Sequence, residues 1–365
     1  MILEIKTNIK SECGFVLHSD FFYIFVAMKR NALSILLLTI SLGAAAQGYQ
    51  ADEIQTFNMT KAGIKPRNYS GIVHLEGSRY ALVSDKEDSD GFFIFSIEQD
   101  SITGKIISIK DEGFRSAKTG TQRDSEGICT RICNGDTLIY IAAENEQQIL
   151  EYNSNGIPTG KSMNIPEEFS KNNIQGNYGF ESLAYSAATN QFWTTTENAL
   201  KKDIGKPDEG VRLRLQSFDD NLKTKHQYEY RTDSPIYGNK KKRNYAFGVA
   251  EICALADYGL IVLEREFIVT PNYIGSKCNH KLFVVKPTQN DIPMEKILLY
   301  SFETKFNLSH KNLANYEGMC LGARLSNGKQ TLLLVNDSQA GAGNKIFALQ
   351  DYLKVISISY PREAE

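Results

Sequence analysis

The stretch NYGFESLAYS, residues 177–186, returns in altered form four more times along the chain. The other copies are NYSGIVHL (68–75), RDSEGICTRI (123–132), FGVAEICAL (247–255) and NYEGMCLGA (315–323). Each copy joins a turn to an apolar stretch, and four carry an acid in the motif: Glu126, Glu181, Glu251 and Glu317. A short turn after each copy leads into a second β-rich run that ends in an acid. These runs are RYALVSDK with Asp85, LIYIAAEN with Glu144, QFWTTTEN with Glu197, LIVLERE with Glu264 and LLLVNDS with Asp337. Further runs such as GFFIFSIE, KIISIKDE, RLRLQSFD, HKLFVVKP and NKIFALQD follow. Alternating or wholly apolar runs of this length, bounded by Gly, Asn, Asp and Lys, are strand signals.

Repeats of about 40–70 residues with about four short strands each predict an all-β propeller of four-stranded antiparallel blades. Five repeats are visible, and a sixth blade remains open. The strand around Ile54–Met59 is expected to pair with Val355–Tyr360 and close the ring. In a radial arrangement the first strand of each copy lies by the axis. Antiparallel pairing then brings its start beside the end of the second strand. The acids of both runs are therefore expected on one face of a shared channel, where like charges repel unless a cation compensates. The alternative is a set of separate turn caps and surface ion pairs.

Formal net charge is −2 and the chain has no basic bias, which argues against nucleic acid as a partner. Met28-Lys29-Arg30, the apolar run 32–40 and the small residues 42–46 form the pattern of a secretory signal over 28–46. That run is shorter than the roughly 20 residues of a membrane span, so no stable anchor is expected after cleavage. Residues 1–27 then read as an extension ahead of the true start, the alternative being a real cytosolic extension that makes 28–46 an internal anchor; 47–365 reads as one exported domain, periplasmic or extracellular. Oligomeric state is not legible. Cys129, Cys253 and Cys320 share a repeat position and read as small packing residues rather than metal ligands. Trp193 is expected to pack between blades.

The repeats resemble the phytase-like family, which is named for esterase-like activity. Ser70-Gly71-Ile72 with Ser84-Asp85, Ser125-Glu126-Gly127-Ile128, and Asn177 to Ala184 with Thr196-Glu197-Asn198 carry the likeness. Ala250-Glu251-Ile252 with Leu263-Glu264-Arg265, and Asn315 to Met319 with Val335 to Ser338, complete it. The resemblance implies a β-propeller and hydrolysis of an ester or phosphoester. Well-characterised propeller phytases hold calcium in an acidic channel, a likeness in kind only.

Calcium takes six to eight oxygen ligands. Asp85, Glu126, Glu181, Glu197, Glu251, Glu264, Glu317 and Asp337 are the candidate metal ligands. Glu181, Glu264 and Arg265 are the candidate catalytic groups, with a carboxylate of raised pKa as base. Adjacent strand residues point to opposite faces, so either Glu264 or Arg265 turns away from the channel. Arg265 is either a clamp for a substrate anion or a structural ion pair to a neighbouring blade. The basic run 240–243 is either a phosphate-attracting rim or a solvated loop. A Gly-x-Ser-x-Gly elbow is absent, and the few histidines do not suggest a zinc site. Two readings stay open: a calcium-dependent hydrolase of a small ester or phosphoester, and a non-catalytic binding propeller with a structural cation.

Overall fold

Twenty strands in the computed structural model form five four-stranded sheets. It describes residues 48–206, 209–238, 244–288, 293–307, 309–343 and 348–360. The expected signal over 28–46, the extension before it and the basic run 240–243 lie outside the described residues.

Strand β1 (Gln50–Asn58) precedes the first complete blade. Blade I holds β2 (Tyr69–His74), β3 (Arg79–Ser84), β4 (Phe92–Gln99) and β5 (Ile106–Arg115). Blade II holds β6 (Ser125–Cys133), β7 (Asp136–Ala143), β8 (Gln148–Tyr152) and β9 (Pro158–Ser162). Blade III holds β10 (Ala184–Ser186), β11 (Gln191–Thr194), β12 (Arg212–Phe218) and β13 (Thr224–Arg231). Blade IV holds β14 (Tyr245–Ala254), β15 (Leu260–Ile268), β16 (Lys277–Val285) and β17 (Lys296–Lys305). Blade V joins β18 (Asn315–Arg324), β19 (Gln330–Asp337) and β20 (Tyr352–Ser359) to β1.

The sheet order β1-β20-β19-β18 closes the ring with one strand from each end of the domain. The pairing runs from Gln50 opposite Ser359 to Asn58 opposite Tyr352, as the sequence led us to expect. Among the described residues five blades use every strand of the sheets, and no sixth blade forms. The run 344–351 gives no long strand among its described residues. Ala348 makes only an isolated bridge, and the last strand of blade V starts at Tyr352.

Apolar faces of neighbouring blades interlock. One cluster joins Tyr69, Leu82 and Phe95 of blade I to Leu333, Val335 and Val355 of blade V. Trp193 of blade III packs in a cluster with Val249, Ile252 and Val262 of blade IV, between two blades as expected.

Near the axis the first strands approach closely enough to need glycine. A Cβ on Gly127 would lie 2.5 Å from the Leu183 backbone nitrogen, and one on Gly318 would lie 2.8 Å from the Gly71 Cα. One on Gly71 would lie 2.4 Å from the Glu126 carbonyl oxygen. Backbones therefore touch between blades V and I, I and II, and II and III. Overpacked sites of this kind cost about 1–3 kcal/mol or more, because backbone cannot step aside as a flexible side chain can. Gly127→Ala is accordingly expected to lower unfolding free energy by about 2–3 kcal/mol, read as a reduced urea midpoint. A variant with an unchanged midpoint would show that the first strands have room to spare.

Candidate functional site

Each first strand enters its sheet through a one-residue irregularity. The register against the second strand skips between Tyr69 and Gly71, Ser125 and Ile128, Val249 and Glu251, and Tyr316 and Gly318. In blade III the Phe180–Thr196 and Ala184–Trp193 pairs differ by the same single step. A bulge leaves one residue unpaired and re-aims its side chain. The residues so placed are Ser70, Glu126, Glu181, Ala250 and Glu317.

The second strands supply a matching set. Asp85 pairs with Asn68, Glu144 with Asp124 and Glu197 with Gly179 through backbone hydrogen bonds. Gly248 lies opposite Arg265 and Asn315 opposite Asp337. One register position therefore reads Asp85, Glu144, Glu197, Arg265 and Asp337 around the ring. Blade IV breaks the pattern twice, with Ala250 at the bulge and Arg265 where the other blades carry an acid.

This register places the expected residues individually. Asp85, Glu126, Glu181, Glu197, Glu317 and Asp337 come together around Arg265 and influence one another's charge. Glu264 sits one position earlier and faces away from the channel. It accepts hydrogen bonds from Tyr230 Oη at 2.6 Å, Lys296 Nζ at 2.6 Å and the Asp233 backbone N–H at 3.0 Å. The choice between Glu264 and Arg265 thus falls to Arg265, because the two alternate across the strand.

Glu251 is also displaced. It pairs with Leu263, just as Gly318 pairs with Val335 and Gly71 with Val83, so it occupies the close-approach position and not the bulge. Its Oε1 accepts from the backbone N–H of Leu183 at 3.1 Å and of Ile252 at 2.9 Å, and its carboxylate also accepts from the Met319 N–H. Leu183 and Met319 belong to the blades on either side. Glu251, 1% exposed, therefore ties the first strand of blade IV to those of both neighbouring blades. Burial raises its pKa well above the usual carboxylate range despite these donors. The thiols of Cys129, Cys253 and Cys320 lie near it, each pushed up by burial first and then by the Glu251 charge or a neighbouring thiol.

Arg265 is the fixed cation of the ring. Its guanidinium donates to Glu197 of blade III at 2.5 Å and to Glu317 of blade V, and Asn315 Nδ2 donates to the same Glu317 oxygen at 2.6 Å. Arg265 therefore makes the structural ion pairs, one to each neighbouring blade. Burial lowers its pKa, but Glu197, Glu317 and Glu181 outweigh this and hold it protonated.

Two groups escaped the sequence reading. Glu144 was seen in the repeat but left out of the candidate ligands. Its Oε1 accepts from the Gly179 N–H at 2.7 Å, while its Oε2 is buried without a partner. Asp124 lies beside it and pairs with Lys86 Nζ at 2.6 Å, and Lys86 also reaches Asp85 at 2.7 Å. The signal for Asp124 was available, since it precedes the motif where Asn68, Gly179, Gly248 and Asn315 stand in the other copies.

Glu126 and Glu181 are 6% and 7% exposed and accept no hydrogen bond from any described residue. Burial first, then neighbouring acids, raise both well above the ordinary range. Glu317 is pushed up to about 8, Glu144 to about 7 and Asp85 to about 6, in each case mainly by burial. An all-oxygen set with orphaned carboxylate atoms has the donor chemistry of a hard divalent cation such as calcium.

These features define a five-bladed propeller with a one-sided acidic axial basin. The chain belongs to the Phytase-like family, "Esterase-like activity of phytase", whose sequence profile matches residues 66–339. No curated protein matches it significantly. Among solved structures it is similar to the endo-arabinase from Bacteroides thetaiotaomicron VPI-5482, at 14% identity and TM-score 0.43, over 83% of this chain and 97% of that one. It is also similar to a glycoside hydrolase family 43 arabinoxylan arabinofuranohydrolase from Bacillus subtilis, at 8% identity and TM-score 0.46, over 80% and 63%. The N-terminal domain of Nup159 aligns at 7% identity and TM-score 0.33, over 86% and 96%. Likenesses this distant carry no argument about activity.

A carboxyl group whose pKa is higher in the folded state stabilises the fold while protonated. That contribution is full below about 4 and is lost as pH rises through the folded value. Glu317, Glu144 and Asp85 place the loss between their ordinary range and about 8. His280, held down to about 3 by burial, acts in the opposite sense but only as pH falls below its ordinary value. In chelator, the thermal midpoint is therefore expected to rise when pH is lowered from about 8.5 to about 6.5, and Glu317→Gln is expected to flatten that rise. Equal midpoints across this window would contradict the burial of these acids.

Proposed function

We propose that this chain is an exported, calcium-dependent hydrolase that cleaves a small ester or phosphoester in the acidic basin. The observation that carries the reading is the pair of buried carboxylate oxygens without a partner, Asp85 Oδ1 and Glu144 Oε2, in a basin where Glu126 and Glu181 also accept no hydrogen bond from any described residue and Arg265 stands buried. Leaving such groups without a partner costs stability, and enzymes place that cost where it serves chemistry. The family's description supports hydrolysis as the activity. Export rests on the charged, apolar and small-residue pattern of 28–46.

The donors that would hold calcium are Glu126, Asp85, Asp124 and Glu144 on one side, with Glu181 and Asp337 within reach of the same basin. Calcium supplies Lewis-acid polarisation of a phosphoryl or acyl oxygen and a fixed position for water. Glu181, its pKa raised by burial and by Glu197, is the candidate to take a proton from that water. Arg265 orients Glu197 and Glu317 by hydrogen bonding to both, while Glu181 accepts no hydrogen bond from it. Glu264 lies outside this basin, and no step is assigned to it.

The second reading, a binding propeller with a structural cation, is favoured by the engagement of both terminal nitrogens of Arg265 by carboxylates of neighbouring blades. Hydrolysis of aryl phosphates, aryl esters and phytate by the domain 47–365, with calcium and with chelator, separates the two. The hydrolase reading expects turnover with calcium and a fall of about 10²-fold or more in Glu181→Gln, the scale of a lost general base. Calcium binding without turnover on any of these substrates would leave the binder. Turnover unaffected by chelator would overturn the cation's part.

A further inference from the structure

The basin has two halves that solve the same charge problem differently. On one side Glu197 and Glu317 bind Arg265, with Glu181 close enough to feel its charge, and the Arg265 side chain is only 6% exposed. That cation cannot leave without opening the ring. On the other side stand Asp85, Asp124 and Glu126, each offering a carboxylate oxygen within 4.8 Å of the other two. Three oxygens so spaced all lie within about 2.8 Å of one centre, so a small closing movement brings them to the calcium–oxygen distance of about 2.3–2.6 Å.

The cation found there is Lys86. Its ammonium lies 2.7 Å from Asp85 Oδ2 and 2.6 Å from Asp124 Oδ1, while half of its side chain is exposed at 52%. It leaves the corner unfinished. Asp85 Oδ1 and Glu144 Oε2 are buried without partners, and the Glu126 carboxylate, 6% exposed, has no hydrogen bond at all. An ammonium on a flexible stem makes at most three directed bonds and can swing out along its exposed side. A divalent ion at the same place would engage the unpartnered oxygens as well.

We propose that the basin's divalent cation is seated at the Asp85–Asp124–Glu126 corner, and that Lys86 is a tethered competitor which the incoming cation displaces. The proposal rests on the reading that the basin binds a divalent cation, and it adds where that cation sits and what holds the place before it arrives. Lys86 makes the empty corner tolerable. It also lowers the apparent affinity, because a tethered charge competes at high effective concentration.

Calcium titrations by calorimetry on the domain 47–365, comparing wild type with Lys86→Met, Glu126→Gln and Glu181→Gln, test this. Lys86→Met is expected to tighten calcium binding about tenfold or more and Glu126→Gln to weaken it by as much, since one removes the competitor and the other a ligand. Acetylation of Lys86, followed by mass spectrometry on the wild-type chain, is expected to be faster with calcium than with chelator. An affinity unchanged by Lys86→Met, or labelling unchanged by calcium, overturns the competitor. Calcium binding lost in Glu181→Gln but kept in Glu126→Gln overturns the corner while the basin's cation survives. Absence of calcium binding in both wild type and Lys86→Met overturns the corner and the cation reading together.

Discussion

The structure turns on the burial of many carboxylates around one narrow axis. Two unit charges 4 Å apart repel by about 4 kcal/mol at the effective dielectric of a protein site. Asp85, Asp124, Glu126, Glu144, Glu181, Glu197, Glu317 and Asp337 cannot all be ionised there with only Arg265 and Lys86 to answer them. The side chains have nowhere else to go. Glycines 71, 127 and 318 bring the first-strand backbones into contact just below, and the bulges aim the residue before each glycine upward. Geometry thus concentrates the charge, and the apolar clusters that bridge neighbouring blades hold the sheets against its repulsion.

Blade IV makes the ring asymmetric. With Ala250 at its bulge and Arg265 at its second-strand position, it exchanges two potential negative charges for one positive. Its own acid, Glu251, moves one residue along the strand and is held by backbone N–H groups of blades III, IV and V. A single-residue offset therefore converts a would-be ligand into a buried link between blades. The same alternation sends Glu264 to the far side of the sheet, where Lys296 and Tyr230 receive it.

Most of the fold was legible because a repeat is visible at two levels, as a motif and as the strand period within it. The closing strand was readable for the same reason, since two orphan strands at the ends had only each other to pair with. In blade V, β20 begins at Tyr352, and Leu353 has Val335 and Phe57 opposite it. The site was legible as a set of acids but not in its register. Aligning the copies on glutamate put Glu251 with Glu126 and Glu317. Aligning them on cysteine would have revealed the offset, because Cys129 and Cys320 lie three residues after their glutamates and Cys253 only two. Pairing confirms the cysteine alignment, with Cys129 opposite Tyr140, Cys253 opposite Ile261 and Cys320 opposite Leu333. Asp124 and Lys86 were harder to assign, since their roles depend on a contact between two blades that no single repeat contains.

Three kinds of positive charge can relieve such a basin, and the arrangement distinguishes them by how easily each departs. The guanidinium of Arg265 is locked between two blades and acts as part of the frame. Protons sit on Glu317, Glu144 and Asp85 over the range in which those groups titrate, and they leave as pH rises. The ammonium of Lys86 lies between these extremes, bound to two carboxylates yet half exposed. A basin with one permanent and two replaceable counter-charges can take up a cation without rebuilding its walls, because what the cation displaces is small, local and already near the mouth. The asymmetry of the ring, more than the number of its acids, is therefore what suits it to exchange ligands.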